Sequence, residues 1–527
     1  MLRRKFLLSK IDNETYSPEY LTIEALEDGL VVNLSSNACE YCIDGDGNWK
    51  TLNANTNTEP INTRHTLSFR GTLTPTSSNG IGTFTISKKC NLKGNCMSML
   101  YGDEAVNNNS VPNYAFQGLF QNVTTIISAK ELQLPATSLN TYCYRNMFLG
   151  CTNLVSPPHE LPATTAKSYC YYQMFAGCKA LVSTPIMYLS TLASYCCQYM
   201  FNGCSKLATA PLLLPTICQT YCYAHMFQNC TSLVEAPQLP ATRLADYCYY
   251  NMFNGCTKLT TATELPATTL ASYCYDSMFR DCTSLVEAPQ LPATTLSNGC
   301  YRYMFEGCTR LTTVPIILPA TTLMASCYYN MFEGCINLTT APELPATTLV
   351  TYCYRGMFYG CTKLTTAPEL PATKLANYSY YYMFQNCSSL NKITMLATDI
   401  SASSCLYKWV DGVALSGTFI KNAAMTSLPN GINGIPSGWT IQDYEGVYLI
   451  SFTIDGIKYR AEEGMTWKEW IDSEYNTSGC YIYYSMVYAS SGGYIVQDLT
   501  VINPLLSETD QNEIVNGCHY YEKFFDL

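Results

Sequence analysis

The sequence predicts a β-rich solenoid with short helical turns, flanked by an N-terminal antiparallel β domain and a small C-terminal β-rich module with one helix. Three observations support this fold class. The pair Met-Phe recurs every 26 or 27 residues from Met147-Phe148 to Met383-Phe384. Cysteine and leucine hold fixed positions in each of these units, and both flanks contain runs that alternate apolar with polar residues. Internal repeats of this length are typical of stacked structural units.

Composition excludes several classes of function. Only 13% of the 527 residues are charged, and the formal net charge is −10. A chain with 47% hydrophobic residues is too apolar for disorder, and its acidic balance argues against a nucleic-acid partner. No run reaches the roughly 18 apolar residues of a membrane helix, so we expect no membrane insertion. The four histidines are scattered, and we expect no metal and no cofactor.

Residues 1–95 are predicted to form the N-terminal domain. Alternating runs at residues 20–26, 29–34, 65–70 and 82–87 are separated by Gly, Asn and Pro, a pattern typical of antiparallel strands. We expect this domain to cap the first turn of the solenoid and to anchor the chain. The basic start is followed by an apolar core of only three residues, too short for a signal peptide. We therefore expect synthesis in a host cytoplasm without a leader.

The solenoid is predicted over residues 96–403, with about 11 turns of period 26: ten clear turns and one degenerate turn at residues 115–122. Because one unit cannot bury its own apolar side, the repeated residues should form the interior. The first repeated residue is a cysteine four residues after each methionine. This column comprises Cys151, Cys178, Cys204, Cys230, Cys256, Cys282, Cys308, Cys335, Cys361 and Cys387.

Three further columns repeat with the same period. A second cysteine lies four residues before the methionine, with Ser379 in the last unit, and a tyrosine lies three before it except at Cys197. We call the cysteine four residues after the methionine the late cysteine. A leucine follows it by three residues. The apolar spacing of three or four around Met-Phe predicts a short helical turn. The segment after the late cysteine, such as residues 364–370, predicts a short strand interrupted by proline.

The cysteines have two interpretations. Buried free thiols forming a structural ladder are favoured, since a leaderless chain keeps its thiols reduced. Disulfides and metal sites are the alternatives. Equivalent side chains on neighbouring turns would lie about 4.8 Å apart, whereas a disulfide prefers about 3.8 Å between its Cβ atoms. Cys39-x-x-Cys42 is a lone motif for which metal binding or redox chemistry is the alternative to a structural role.

Two segments follow the repeats. Residues 404–443 are predicted to cap the solenoid, with Trp409, Phe419 and Trp439 covering its last turn. Residues 444–527 are predicted to form the C-terminal module. Its first hairpin should turn at Asp455-Gly456, a helix should begin near Thr466, and two strands should follow at residues 480–488 and 494–502.

The repeating pattern Leu-x-x-Ala-Pro-x-Leu-Pro, followed by Leu-x-x-Tyr and Cys-x-x-Leu, resembles the BspA-like leucine-rich-repeat family over roughly residues 91–440. The unit is a few residues longer than is usual in that family, and Met-Phe replaces Ala-Phe. The resemblance implies a surface-exposed solenoid for adhesion and for binding protein or glycan. It does not imply an enzyme.

Three motifs of the last segment resemble a small module at the ends of phage and prophage structural proteins. They begin at Phe452, Gly464 and Gly517. The N-terminal and cap sequences are similar to leucine-rich-repeat proteins encoded by phages of gut bacteria. These resemblances imply a virion fibre or decoration protein, bound to other virion proteins and to a host-surface glycan or protein. Fibres are commonly oligomeric, so we expect a homo-oligomer, with a trimer as the working hypothesis.

Three other functions remain open. A bacterial cell-surface adhesin of the same repeat family would need an export signal, and a cytosolic scaffold would bind one protein partner. A polysaccharide depolymerase would need paired carboxylates such as Glu343 and Glu369. We expect no catalytic residues, because no arrangement of nucleophile and base stands out. His225 is expected to be an ordinary exposed histidine.

The two residues before each methionine vary between units, and we call them the variable stripe. Tyrosine and arginine dominate it, and both are enriched at binding interfaces. The alternative is that a tyrosine-rich protein simply covers its surface with tyrosine. The candidate binding residues are Arg145, Tyr172, Tyr199, His225, Tyr250, Arg302, Tyr303, Tyr329, Arg355 and Tyr381. A second stripe, which includes Met187, Leu213 and Ile317, predicts either a partner contact or local packing.

Overall fold

The computed structural model describes residues 20–444 and the strand residues 451–454, 457–460, 481–489 and 493–502. The chain divides into two compact units after Asp443. Each unit is described by itself below.

The first unit begins with eight strands: β1 Leu21–Ala25, β2 Val32–Leu34, β3 Cys39–Ile43, β4 Lys50–Leu52, β5 Thr66–Arg70, β6 Phe84–Ile86, β7 Cys90–Asn95 and β8 Ile126–Gln133. Six of them form a sheet in the order β4-β3-β5-β1-β7-β8, and β2 pairs separately with β6. All pairings are antiparallel except that of β7 with β8. Leu21, Ile23, Leu67 and Phe69 are fully buried between the strands and the rest of the domain.

A helix α1, Ser98–Tyr101, and a 3-10 helix, Gly102–Asn107, connect β7 to the repeats. The backbone of the repeats then alternates between two kinds of hydrogen bond. The N–H of Tyr144 donates to the carbonyl of Cys170 in the next unit at 3.0 Å. The N–H of the following residue, Arg145, donates within its own turn to Tyr142 at 3.2 Å. Around each Met-Phe, alternate residues therefore join the unit to the next one, and the residues between them close tight turns.

The predicted short helical turns around Met-Phe are wrong. Every fourth residue there has a left-handed backbone, as in Tyr142 (φ 62°), Asn146 (φ 56°) and Gly150 (φ 75°). A left-handed residue cannot continue a right-handed helix. It also turns the next peptide group, which is why alternate N–H groups point along the stack. Among the described residues, α1 is the single α-helix.

The predicted strand after each late cysteine is reduced to short parallel pairings. Three of the ten clear units contain named strands there: β9 Glu160–Leu161 and β10 Ile186–Met187, which pair in parallel, and β11 Lys392–Met395. Most other units show isolated bridges, such as Thr366 with Lys392. Proline in this segment, as at Pro368, has no N–H to donate and interrupts the ladder.

Aromatic rings stack through the interior. From Phe120 to Phe384, the phenylalanine rings of successive units are 5.3–5.8 Å apart between centroids. The row continues to Phe84 of β6 at one end (5.6 Å) and to Trp409 at the other (6.0 Å). The N-terminal sheet, the repeats and the segment around Trp409 therefore share one core.

Each thiol of the late cysteine column donates to the backbone of the preceding unit. The acceptor is the phenylalanine carbonyl, and the sulfur–oxygen distance is 2.9–3.2 Å in all ten cases. Phe253, for example, accepts both the N–H of Cys256 at 3.0 Å and the thiol of Cys282 at 3.2 Å. Burial raises the pKa of the Cys256 thiol to about 12, which keeps it in the protonated form that donates.

The cysteines of the described residues are all free and buried. The lone Cys39-x-x-Cys42 motif lies on β3 with both thiols buried. Burial raises the pKa of both, that of Cys39 to about 12, and so disfavours the thiolate that redox chemistry or metal binding requires.

At the end of the repeats, β11 pairs in parallel with β12 Thr418–Lys421, which pairs in parallel with β13 Thr440–Asp443. Trp409 is fully buried, its ring 6.1 Å from that of Phe419, and its Nε1 donates to the carbonyl of Gly434 at 2.9 Å. Trp439 donates to Ala414 at 2.7 Å. These side chains cover the end of the phenylalanine row.

The second unit contains two antiparallel pairs among its described residues. They are β14 Ser451–Ile454 with β15 Ile457–Arg460, and β16 Tyr481–Ala489 with β17 Gly493–Ile502. The predicted Asp455-Gly456 turn and the predicted helix near Thr466 lie outside the described residues.

We expect Cys282→Ala to lower the free energy of unfolding by about 1–2 kcal/mol, because it removes a buried sulfur and its hydrogen bond to Phe253. Denaturant unfolding followed by circular dichroism measures this change. Val286→Ala, at a side chain that is 41% exposed in the same unit, is the control and should change stability much less. Equal effects of the two substitutions would contradict the role assigned to the thiol.

Candidate functional site

One side of the stack carries a continuous surface of aromatic and charged side chains. We call it the aromatic face: the residues one, two and five positions before each Met-Phe methionine, and two positions after it. All ten candidate binding residues of the variable stripe lie on it, and all are half-buried. They form a row along the units rather than converging on one point.

A second row of tyrosines lies beside the variable stripe, and the sequence analysis did not identify it. Its members lie five residues before the methionine, have left-handed backbones and are half-buried. Neighbouring rings stack nearly parallel with centroids 4.6–5.1 Å apart. The row comprises Tyr114, Tyr142, Tyr169, Tyr195, Tyr221, Tyr247 and Tyr273, then resumes at Tyr352 and Tyr378. In the sequence, this row is visible as a tyrosine that recurs directly before the cysteine four residues ahead of each methionine.

His225 is not the exposed histidine that was expected. Its ring stacks on Tyr199 at 4.3 Å and meets Tyr250 edge-on at 4.9 Å. Its Nδ1 lies 2.8 Å from Oε1 of Gln228. Burial lowers the pKa of His225, so it is a neutral ring within the aromatic row at neutral pH.

Arginines are held against the tyrosine rings. The Arg355 guanidinium lies 4.9 Å from the ring centroid of Tyr329, 5.6 Å from that of Tyr352 and 4.7 Å from that of Tyr381. Cation–π contacts of this kind favour arginine, whose planar group stacks while its N–H donors stay at the edge. The aromatic rows therefore present fixed guanidinium groups as well as phenols.

The gap in the second tyrosine row, at Gly299 and Ser326, borders a cluster of charges. Arg302 contacts the ring of Tyr273 at 5.2 Å and forms an ion pair with the fully buried Asp276 at 2.8 Å. Burial raises the pKa of Asp276, although Arg302 opposes the shift. This pair holds Arg302 in place on the face.

Two carboxylates occupy neighbouring units two positions after the methionine. Oε1 of Glu306 accepts a hydrogen bond from Arg280 at 2.8 Å, while its Oε2 is buried without a partner. Burial raises the pKa of Glu306 to about 7; Arg280 opposes the shift, and Glu333 and Asp281 add to it. Burial also raises the pKa of Glu333.

A hollow of about 410 Å³ opens on the face beside Glu333. In the register directly before the methionine, Gly356 lacks the side chain that every other clear unit carries. The hollow is lined by Asn330, Glu333, Arg355, Gly356, Tyr359, Tyr382 and Gln385. It includes one candidate of the variable stripe, Arg355, together with residues that the sequence analysis did not select.

The second predicted stripe is mostly packing. Met187 and Leu213 are buried, and half-buried Ile317 pairs with Glu343 of the next unit. Exposed apolar side chains instead lie at the neighbouring Ile186, Leu212 and Ile316. The hypothesis of local packing therefore accounts for Met187 and Leu213.

Within the described residues, no cluster of three or more His, Cys, Asp or Glu side chains has the arrangement to hold a metal ion. In the same part of the chain, no helix combines the length and apolar character that crossing a membrane requires.

Comparison with known families matches residues 105–260, 198–331 and 275–409 to the BspA-type leucine-rich-repeat region, in six copies. These ranges together cover more than half of the 527 residues. The chain belongs to the BspA-type leucine-rich-repeat family. Proteins with such repeats are typically non-enzymatic binding proteins.

One solved structure is similar to part of the chain. A solved structure described as the crystal structure of the TLR13-ssRNA13 complex aligns with 63% of this BspA-type chain at 13% identity and a TM-score of 0.25. The alignment spans 49% of that chain. No curated protein matches the sequence.

We expect the stability of this protein to depend on the ionisation of Glu306. Its folded-state pKa of about 7 exceeds the ordinary value of 4.5, so its stabilising contribution is complete below pH 4.5 and is lost as pH rises through 7. The loss is about 3 kcal/mol at most. Glu306→Gln should remove this part of the pH dependence, measured as unfolding free energy from pH 4.5 to 8.

The exposed Glu287 supplies the control for that measurement. Glu287→Gln should leave the slope of stability against pH as it is in the unmodified protein. A Glu306→Gln variant with the same slope would show that Glu306 binds its proton equally in the folded and the unfolded protein, which contradicts the raised pKa.

Proposed function

We propose that this BspA-type leucine-rich-repeat protein is a non-enzymatic adhesin-like protein whose aromatic face binds a glycan or protein on a cell surface. The observation that carries the proposal is the pair of stacked rows, in which half-buried tyrosines and arginines follow one another from unit to unit. We interpret the stacked units as a solenoid, which supplies an elongated binding surface.

The contacts within the rows favour binding because they order the side chains in advance. A tyrosine already stacked on its neighbours, such as Tyr221 between Tyr195 and Tyr247, loses little conformational freedom when a partner binds. Its ring offers apolar area and its hydroxyl offers a hydrogen bond. Arginines held over the rings add fixed donors for carboxylate, hydroxyl or carbonyl oxygens.

Binding through such a surface gains from repetition. Each tyrosine contact is weak, but linked sites can raise overall avidity by about 10²–10⁴-fold. A homo-oligomer would multiply the face again, and a trimer remains our working hypothesis. A depolymerase would use the paired carboxylates Glu343 and Glu369. They lie on the strand-like segment of the repeat, in a different sequence register from the aromatic face.

A paired substitution tests the aromatic face directly. We expect Tyr199→Ala with Tyr250→Ala to weaken binding of the full-length, fluorescently labelled protein to bacterial cells at least tenfold, since buried tyrosines at interfaces each contribute about 1–2 kcal/mol. Flow cytometry on cells from the source culture measures the apparent Kd. Circular dichroism checks that the variant remains folded.

Val182→Ala with Val234→Ala is the matched control, because both side chains are exposed and lie on the strand-like segment. This variant should bind like the unmodified protein. If the valine pair weakened binding and the tyrosine pair did not, the binding surface would be on the other side of the stack.

We further propose that the protein is a virion component, a head or tail fibre or a decoration protein, made in the host cytoplasm. The support is the resemblance of the motifs at Phe452, Gly464 and Gly517 to modules of phage structural proteins. The other virion proteins would then be its partners at one end. The alternative locations are the bacterial cell surface and the cytosol.

Peptide mass spectrometry on density-banded particles tests this location. We expect stoichiometric peptides from the N-terminal sheet, the repeats and the C-terminal unit, and a copy number that distinguishes a rare tail fibre from an abundant head decoration. Peptides found in the cell envelope and missing from particles would favour the surface adhesin. Peptides confined to the cytosol would favour a scaffold.

A further inference from the structure

We propose that the hollow beside Gly356 binds a neutral saccharide unit and is the main ligand subsite of the aromatic face. The inference rests on the proposed binding function and adds to it a site and a ligand class. The hollow's volume of about 410 Å³ lies in the lower part of the roughly 300–1,000 Å³ range of ligand pockets.

The hollow exists because of one missing side chain. Asn330 and Tyr382 occupy the register of Gly356 in the units on either side. Gly356 has a left-handed backbone (φ 56°), and a Cβ atom there would meet the side-chain amide of Asn330. Asn330 in turn donates a hydrogen bond to Glu333. The Asn330 amide therefore takes the space nearest Gly356, and the hollow that both residues line is where a longer side chain at residue 356 would extend.

The lining supplies both donors and acceptors. Arg355 is held by three tyrosine rings and forms no ion pair with a carboxylate among the described residues, so the N–H groups at its edge can donate to a ligand. Glu333 is an acceptor whose pKa burial raises, which shows that its carboxylate is poorly hydrated. Gln385 donates its amide nitrogen to Asp411 at 3.0 Å, which leaves its carbonyl oxygen as a further acceptor.

The aromatic residues supply apolar walls. The rings of Tyr359 and Tyr382 lie edge to face, with centroids 6.4 Å apart and an interplanar angle of 66°. The hydroxyl of Tyr359 accepts a hydrogen bond from Asn386 at 3.2 Å, which fixes the ring. A saccharide ring has an apolar C–H face and several hydroxyl groups at its edge. It therefore matches this combination of flat aromatic surface and polar groups.

Charge favours a neutral ligand over its rivals. A phosphate or carboxylate beside Arg355 would also lie beside Glu333, and a cation beside Glu333 would lie beside Arg355. A purely apolar ligand would bury the guanidinium and the carboxylate without partners, which costs free energy. Hydroxyl groups donate and accept, so one saccharide unit can satisfy both charged side chains.

The test first screens the full-length protein on an array of oligosaccharides with neutral hexose, N-acetylhexosamine, uronic acid and sialic acid termini. Calorimetry then measures the Kd of the neutral oligosaccharide that binds best. We expect neutral saccharides to bind, and we expect Gly356→Asn and Arg355→Met each to weaken that binding at least tenfold. Asparagine occupies this register at Asn146, Asn251 and Asn330, so the left-handed backbone accepts it, although its Cβ at residue 356 would displace the Asn330 amide.

Gly203→Asn is the matched control, because it adds the same side chain at another left-handed glycine. A Cβ atom at residue 203 would make only ordinary contacts. In two other units, Asn229 and Asn386 occupy the register of Gly203 with left-handed backbones. It should bind neutral saccharides like the unmodified protein. Three outcomes would each overturn the proposal. They are unchanged binding by Gly356→Asn, preferential binding of acidic saccharides or inorganic phosphate, and no saccharide binding.

The same variants separate this inference from the proposed function. If Gly356→Asn binds bacterial cells normally while Tyr199→Ala with Tyr250→Ala does not, the hollow is not the main subsite and the aromatic face still binds. If both variants bind cells normally, the aromatic face itself is not the binding surface.

Discussion

The structure depends on the alternation of backbone hydrogen bonds around each Met-Phe. Because every second N–H donates to the next unit, as Phe253 does to Met278 at 2.9 Å, equivalent residues of neighbouring units lie directly above one another. The intervening N–H groups close turns within the unit, so the buried backbone remains satisfied. Stacked phenylalanines, the thiol bonds to their carbonyls and the stacked outer tyrosines all follow from that register.

The same register produces the aromatic face and its variation. A residue type repeated at one position becomes a row of rings in contact, as with Tyr169 and Tyr195 at 4.7 Å. A residue that departs from the row changes only its own neighbourhood. Gly356 opens a hollow in this way, and Asp276 places a buried negative charge beneath Arg302. The face therefore combines a uniform frame with local differences from unit to unit.

Much of the interior could be predicted from the sequence, because periodicity directly reports which side chains share an environment. The late cysteines and the Met-Phe pairs were placed inside for this reason, and they are buried. Backbone conformation could not be predicted in the same way: Tyr142 and Asn146 are ordinary residues whose left-handed backbones follow from the stack. The hollow also escaped prediction, because it arises from the absence of a side chain at Gly356 between two neighbouring units.

The unbroken phenylalanine row from Phe84 to Trp409 has a consequence for how such a gene can change. Units of 26 and of 27 residues both keep their rings in the row, as from Phe148 to Phe175 and from Phe305 to Phe332, so a one-residue change is absorbed locally. Duplicating or deleting a whole unit of 26 or 27 residues would rejoin equivalent buried residues. The lineage can thus lengthen or shorten the protein by recombination between its own repeats. Each such event would also copy or discard one set of surface side chains and, on the proposed binding function, one set of recognition elements.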